Sequence, residues 1–268
     1  EVRLPNAVVF RGAETLILGS GFAGVQAGTS VAVDGDYAVV GMPQDGSSGR
    51  ARVYLRTDDG WEMQAPLTPS DGPTDGRFGE SVAISGDSIL VGCPDGNGGL
   101  GAAYVYVRSG VVWREEQRLV PGGGGSVDHF GQAVAIDGDL AVVGAPGPTW
   151  LQESGYAYAF TRDGTVWSQQ NRFDPGTTGQ TLWDFGKSVA IWSVAGGPFV
   201  IIGAPGGTDP NGTEPNPDEN TGSVFIYSRV VTSWFQRKWF HPESARDNDE
   251  FGASVAIHDG LLIVGAPG

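Results

Sequence analysis

FGQAVAIDGDLAVVGAPG, residues 130–147, is written five times along this chain with variations. The other copies are GTSVAVDGDYAVVGMP (28–43), FGESVAISGDSILVGCP (78–94), FGKSVAIWSVAGGPFVIIGAPG (185–206) and FGASVAIHDGLLIVGAPG (251–268). Their leading glycines, Gly28, Gly79, Gly131, Gly186 and Gly252, stand 51, 52, 55 and 66 residues apart. A period of that size marks stacked or circular units.

Each unit reads as four strands. In the third, GQAVAI alternates small and apolar residues, as a strand does. Asp137-Gly138 suits the positive φ angles of a type I′ hairpin. LAVVGAP follows as a short apolar strand closed by Pro146. GYAYAFTR alternates aromatic and small side chains, DGT turns the chain, and VWSQQNRF is a more polar outer strand. No stretch shows a helical period. Four antiparallel strands repeated radially make a propeller blade. The bulk of the side chains fits that taper. First strands carry Ser81, Val82 and Ala83, which crowd an axis without clashing, while later strands carry Tyr104, Tyr106 and Trp113. A Trp opens the fourth strand in four units, at Trp61, Trp113, Trp167 and Trp234. Such recurrence points to packing between blades.

The expected fold is all-β, a single propeller over residues 1–268. Its blades span approximately 28–70, 78–121, 130–175 and 185–243, with a fifth made from 251–268 plus 6–21. NAVVFRGAETLILGSG (6–21) matches a third and fourth strand, so two strands from each end would close the ring and remove exposed edges. The alternative is a fragment of a larger, seven-bladed ring.

Composition narrows the function. Net charge is −15, a surface that repels nucleic acid and anionic membranes. No apolar run is long enough to span a bilayer, so no membrane insertion is expected. A secretory leader is not visible, and EVRLPN reads like the interior of a longer chain that carries neighbouring domains. With Cys93 alone, no internal disulfide forms; it replaces Ala or Met of the other copies and reads as a small core residue.

The phrases FG, SVA and GAP resemble the FG-GAP repeat of integrin α-subunit propellers. Phe78-Gly79, Phe130-Gly131, Phe185-Gly186 and Phe251-Gly252 carry the first half; Gly144-Ala145-Pro146, Gly203-Ala204-Pro205 and Gly265-Ala266-Pro267 carry the second. Gly41-Met42-Pro43 and Gly92-Cys93-Pro94 are variants, and Ala27 stands where the first copy would have Phe. The resemblance covers nearly the whole chain. It implies a secreted or cell-surface protein that recognises a protein or glycan through loops on one face. It also implies calcium, held in long first hairpins with Asp or Asn at alternate positions. Here those hairpins are short, as at Asp34-Gly35-Asp36, Gly86-Asp87, Asp137-Gly138-Asp139 and Asp259-Gly260. Calcium needs six to eight oxygens, more than a two-residue turn supplies. The hairpin from Trp192 to Pro198 is longer but has no carboxylate. The family's calcium loops are therefore expected to be absent.

Antiparallel topology places the 2–3 loops and the links between blades on one face. That face receives every long insertion, including PGGGGSVDH (121–129), DPGTTGQTLWD (174–184) and GGTDPNGTEPNPDENTG (206–222). Binding concentrates on such loops. Three features are candidates. Trp150 and Trp183 form an aromatic pair that stacks on a sugar or clamps a peptide, or else staples the loops. Asp128, Asp184 and Glu250, with Asp75 close by, form an acidic ring at the axis mouth, or else bond to their own turns, and His129 beside Asp128 is a further ligand-binding candidate. Asp209, Asn211 and Asp218, with Glu214 and Glu219, are weak cation candidates in one acidic loop, and Asn211-Gly212-Thr213 is a glycosylation sequon. No catalytic constellation stands out, so no enzyme and no cofactor are expected. The reading is a non-enzymatic recognition or adhesion module. Its alternatives are a structural domain of a larger surface assembly and, behind that, a hydrolase acting on polysaccharide.

Overall fold

The structure, a computed structural model, describes residues 24–72, 75–122, 129–147, 155–175, 182–207, 221–242 and 248–268. Blade 1 comprises β1 (Val31–Asp34), β2 (Tyr37–Met42), β3 (Arg50–Thr57) and β4 (Gly60–Leu67). Blade 2 comprises β5 (Val82–Ser85), β6 (Ser88–Cys93), β7 (Ala102–Ser109) and β8 (Val112–Leu119). Blade 3 comprises β9 (Ala133–Asp137), β10 (Leu140–Ala145), β11 (Tyr156–Asp163) and β12 (Val166–Phe173). A two-residue strand, β13 (Leu182–Trp183), precedes blade 4, which comprises β14 (Ser188–Val194), β15 (Gly197–Ala204), β17 (Ser223–Val230) and β18 (Ser233–Phe240). β13 pairs with β16 (Gly206–Gly207). The last described sheet has two strands, β19 (Ser254–His258) and β20 (Leu261–Gly265). Every pairing within a blade is antiparallel and follows chain order. The first strands neighbour one another along the axis, β1 with β5, β5 with β9, β9 with β14 and β14 with β19. These are the blades of a β-propeller. Residues 6–21, expected to complete the fifth, lie outside the described residues.

Two hairpins differ from expectation. Asp137 pairs with Leu140, so the turn is Gly138–Asp139 and not Asp137–Gly138. Only Gly138 has positive φ, 55°, the pattern of a type II′ turn with Gly first. The type I′ pattern occurs instead at Asp259–Gly260, with φ of 47° and 77°. In blade 4 the stretch from Trp192 to Pro198 is no longer loop. β14 and β15 extend through Val194 and Gly197, leaving a two-residue turn, because the register simply continues.

Outer edges are protected alike in all four complete blades. The register between third and fourth strands shifts at Val53/Tyr54, Val105/Tyr106, Ala159/Phe160 and Ile226/Tyr227. One extra residue therefore sits in each outer strand: Gln64, Glu116, Gln170 and Arg237. A bulge bearing a polar side chain twists an edge away from foreign strands.

The core lies between blades, not within them. One cluster joins Val39, Val53 and Leu67 of blade 1 to Phe78, Val82, Tyr104 and Trp113 of blade 2. Equivalent clusters join blade 2 to blade 3 and blade 3 to blade 4. The fourth-strand tryptophans pack backwards, as expected. Trp113 meets Tyr37 edge-on at 5.8 Å, and Trp234 meets Phe173 at 5.1 Å. Trp167 is held by blade 2 at three points. Its indole N–H donates to Glu116 Oε2 at 3.0 Å, and its backbone exchanges two 2.8 Å hydrogen bonds with the Gln117 amide.

The repeated words FG and GAP are the hinge pin of each junction. Within a blade, the FG glycine N–H donates to the GAP glycine carbonyl: Gly79 to Gly92 at 2.9 Å, Gly131 to Gly144, Gly186 to Gly203 and Gly252 to Gly265 each at 3.0 Å. Between blades, the GAP glycine lies flat against the next FG glycine carbonyl. A Cβ on Gly144 would be driven into Gly186 O, and one on Gly92 into Gly131 O. Ser81 Oγ and Ser188 Oγ donate to the FG carbonyls of the following blades, Gly131 and Gly252, each at 2.8 Å. The motif is thus written by backbone-to-backbone contact, where no side chain fits.

Cys93 is a fully buried core residue whose Sγ donates to Gly76 O at 3.1 Å. Burial, reinforced by Asp71 nearby, pushes its thiol up to about 12. Because the thiolate is the reactive form, folded protein at pH 8 is expected to resist alkylation by iodoacetamide. The thiol should label fully only after unfolding in guanidinium, which mass spectrometry reads directly.

Candidate functional site

The rim where FG and GAP ends meet carries a recurring backbone device. The residue before each FG step (Ala27-Gly28 in blade 1) has positive φ: Gln26 at 53°, Arg77 at 56°, His129 at 50°, Asp184 at 61° and Glu250 at 52°. Each carbonyl accepts a backbone bond three residues on, from Thr29, Glu80, Gln132, Lys187 and Ala253. This turn carries the incoming chain onto the first strand. It also holds five different polar side chains in equivalent places, although none of these residue types is glycine. Left-handed backbone costs about 1–2 kcal/mol at a non-glycine residue.

The side chains form a mixed array. Arg77 pairs with Glu80 at 2.5 Å and with Asp95 at 3.5 Å. His129 Nε2 lies 3.6 Å from the other side of the Asp95 carboxylate. The Gln132 amide donates to Glu80 Oε1 at 3.3 Å, tying blade 3 to blade 2 at the axis mouth. Asp75, also at positive φ, shares with Arg77 and Asp95 a cavity of about 410 Å³ that is completed by Pro43, Gln44, Gly46 and Ser47. Between blades 4 and 5, Asp184, Lys187, Pro205, Gly206, Glu250 and Ala253 line a cavity of about 230 Å³. Burial raises the Asp184 carboxyl above its ordinary value; Lys187 opposes the shift and Glu250 adds to it.

Of the residues singled out in the sequence, His129, Asp184 and Glu250 occupy equivalent rim positions. The backbone of Trp183 pairs with Gly206, immediately beside Asp184. Asp128, Trp150, Asp209, Asn211 and Asp218 lie outside the described residues. The ring is not acidic throughout, because Gln26, Arg77 and His129 hold three of its five places and Lys187 stands beside Asp184. Sequence reasoning passed over Gln26, Arg77 and Asp95. The signal was available: these residues precede the FG step or follow the GAP step, where the repeat itself varies. Among the described residues, no three His, Cys, Asp or Glu side chains are placed to hold a metal ion. No described helix is long and apolar enough to cross a membrane.

On the opposite rim two arginines serve the packing of the blades. Arg108 pairs with Asp87 while lying 4.5 Å over the Tyr37 ring. Arg162 pairs with Asp139 at 2.8 Å and lies over Trp167.

A propeller whose blades are joined through paired glycines defines a class of repeat protein. The FG-GAP repeat family matches residues 61–106, 113–160 and 234–268, and this chain carries FG-GAP repeats. Each match begins at a fourth-strand tryptophan, Trp61, Trp113 or Trp234, and runs across a blade junction. The unit of sequence is therefore offset from the unit of structure. No curated protein matches the chain.

Proposed function

We propose that this propeller is a non-enzymatic recognition module of the cell surface or extracellular space, which binds a protein or glycan through the FG/GAP rim. One observation carries the reading. Five equivalent left-handed positions hold Gln26, Arg77, His129, Asp184 and Glu250, so an invariant scaffold displays a varied set of polar groups. The long connections, including those bearing Trp150 and Trp183, begin and end at the same rim, and two junction cavities open there. A rigid ring with varied groups at one rim suits recognition of an extended partner surface.

The test uses the full chain against a glycan array and a cell-surface protein display library. Asn tolerates the left-handed backbone, so His129→Asn, Asp184→Asn and Glu250→Asn change the displayed chemistry without breaking the turn. The triple variant should lose at least about tenfold in affinity, or about 1.4 kcal/mol, at an unchanged melting temperature. Trp150→Ala with Trp183→Ala should act in the same direction. Unaltered binding in both variants would assign recognition to another surface, and release of cleaved sugar from the array would make the protein a hydrolase.

A further inference from the structure

The rim opposite FG and GAP is built from the 1–2 and 3–4 turns, and in blades 1–4 all of these turns lie within the described residues. Six valines stand at its hairpin tips: Val111 and Val112 in blade 2, Val166 in blade 3, and Val194, Val230 and Val231 in blade 4. All are exposed, Val111 to 71%, Val166 to 58% and Val231 to 88%. A single exposed valine is ordinary on a protein surface. Valines on the tips of three successive blades are not, because a tip has no core to fill and turn chemistry favours Gly, Asn and Asp there.

Val231 makes the strongest case. It opens the turn closed by the Val230–Ser233 pair, where blades 2 and 3 place Gly110 and Gly164. The three residues share one left-handed backbone, with φ of 58°, 63° and 64°. A β-branched residue adopts that backbone only under strain. Blade 4 thus carries a strained turn and a nearly bare apolar side chain at one position, and neither improves the fold.

Carboxylates stand among the valines. Arg108 and Arg162 hold Asp87 and Asp139. Asp58 and Asp59 form the 3–4 turn of blade 1, Asp137 precedes the 1–2 turn of blade 3, and Asp163 precedes its 3–4 turn. These four have no ion pair or side-chain hydrogen bond among the described residues.

We propose that this rim is a second docking surface, and that its partner is a basic protein segment that sets apolar side chains against the valines and Lys or Arg against the free aspartates. Charge decides among the occupants. A second copy of this chain would bring a net charge of −15 against an acidic rim, and an anionic bilayer is repelled for the same reason. Free carboxylates beside exposed valines match a cationic, amphipathic segment. The two rims lie at opposite ends of the strands, so this docking is independent of recognition at the FG/GAP rim.

The experiment titrates the full chain into a labelled peptide of alternating Lys and Leu, with a peptide of alternating Lys and Ser as the control for charge alone. Val111→Ser, Val166→Ser and Val231→Gly together should weaken the Lys-Leu peptide at least about tenfold and leave the Lys-Ser peptide within about twofold. Asp58→Asn, Asp59→Asn and Asp163→Asn should weaken both peptides at least about threefold. Val231→Gly alone should raise the melting temperature by roughly 2–4 °C, which separates lost docking from a lost fold. The variant altered at His129, Asp184 and Glu250 should bind the Lys-Leu peptide as the wild type does. Loss in that variant, or unchanged binding in the valine variant, would overturn the proposal, as would a wild-type chain that does not bind the Lys-Leu peptide. Binding to phosphatidylcholine vesicles that the valine substitutions abolish would make the occupant a lipid surface. Dimers in sedimentation that they abolish would make it a second copy. Either result also overturns the basic partner.

Discussion

Replacing Gly144 by alanine should lower stability by about 3 kcal/mol, the upper end of the usual cost of overpacking. The new Cβ points at Gly186 O of the next blade, a backbone atom that no rotamer change can move aside. Relief requires blades 3 and 4 to separate, which opens the cluster containing Val142, Phe185 and Ile202. The melting temperature should fall by roughly 6–12 °C in a chain of this size. Gly138→Ala is the contrast. Nothing lies near its Cβ, and only the positive φ is unfavourable, so it should cost about 1 kcal/mol. Equal losses in urea denaturation of the two variants would show that the GAP glycine is a turn residue and not a contact between blades.

Phe130→Ala should cost about 3–5 kcal/mol, as expected for a buried aromatic truncated in a close-packed core. Phe130 is fully buried and meets Tyr158 at 5.4 Å and Phe160 at 5.9 Å, both edge-on. Its ring fills the space between blades 2 and 3. The same change at Phe251, which is only partly buried at the last junction, should cost less than about 2 kcal/mol. This gradient separates a packing role from a local one. If the phenylalanine served only its own turn, both substitutions would cost the same, since both turns have the same backbone bond pattern. Ala27, which occupies the Phe position in the first copy, fits the packing account: it belongs to the small cluster on blade 1's backward face.

Much of this was legible beforehand, for physical reasons. The alternation of GYAYAFTR and the apolar run LAVVGAP each admit one strand geometry, and all of the strands expected in blades 1–4 are present. Recurrent tryptophans implied contact between blades, and Trp113, Trp167 and Trp234 make it. The turns were read less well. Asp137-Gly138 and Gly138-Asp139 differ by one residue of register, and only pairing across the hairpin decides between them. The candidate rim was half legible. His129, Asp184 and Glu250 were noticed for their chemistry, while Gln26 and Arg77 went unnoticed because nothing in their side chains announces a left-handed backbone.

The sequence by itself determined the strands, their number per blade and their radial repetition, because periodicity and turn chemistry are local and each repeat states them again. Tertiary structure alone decided why FG and GAP recur. The GAP glycine bonds to the FG glycine of its own blade but abuts that of the next, and the carbonyl that forbids a side chain on Gly144 belongs to Gly186, forty-two residues away. It also decided which polar groups share a rim, since that depends on where five separate chain segments arrive around one axis.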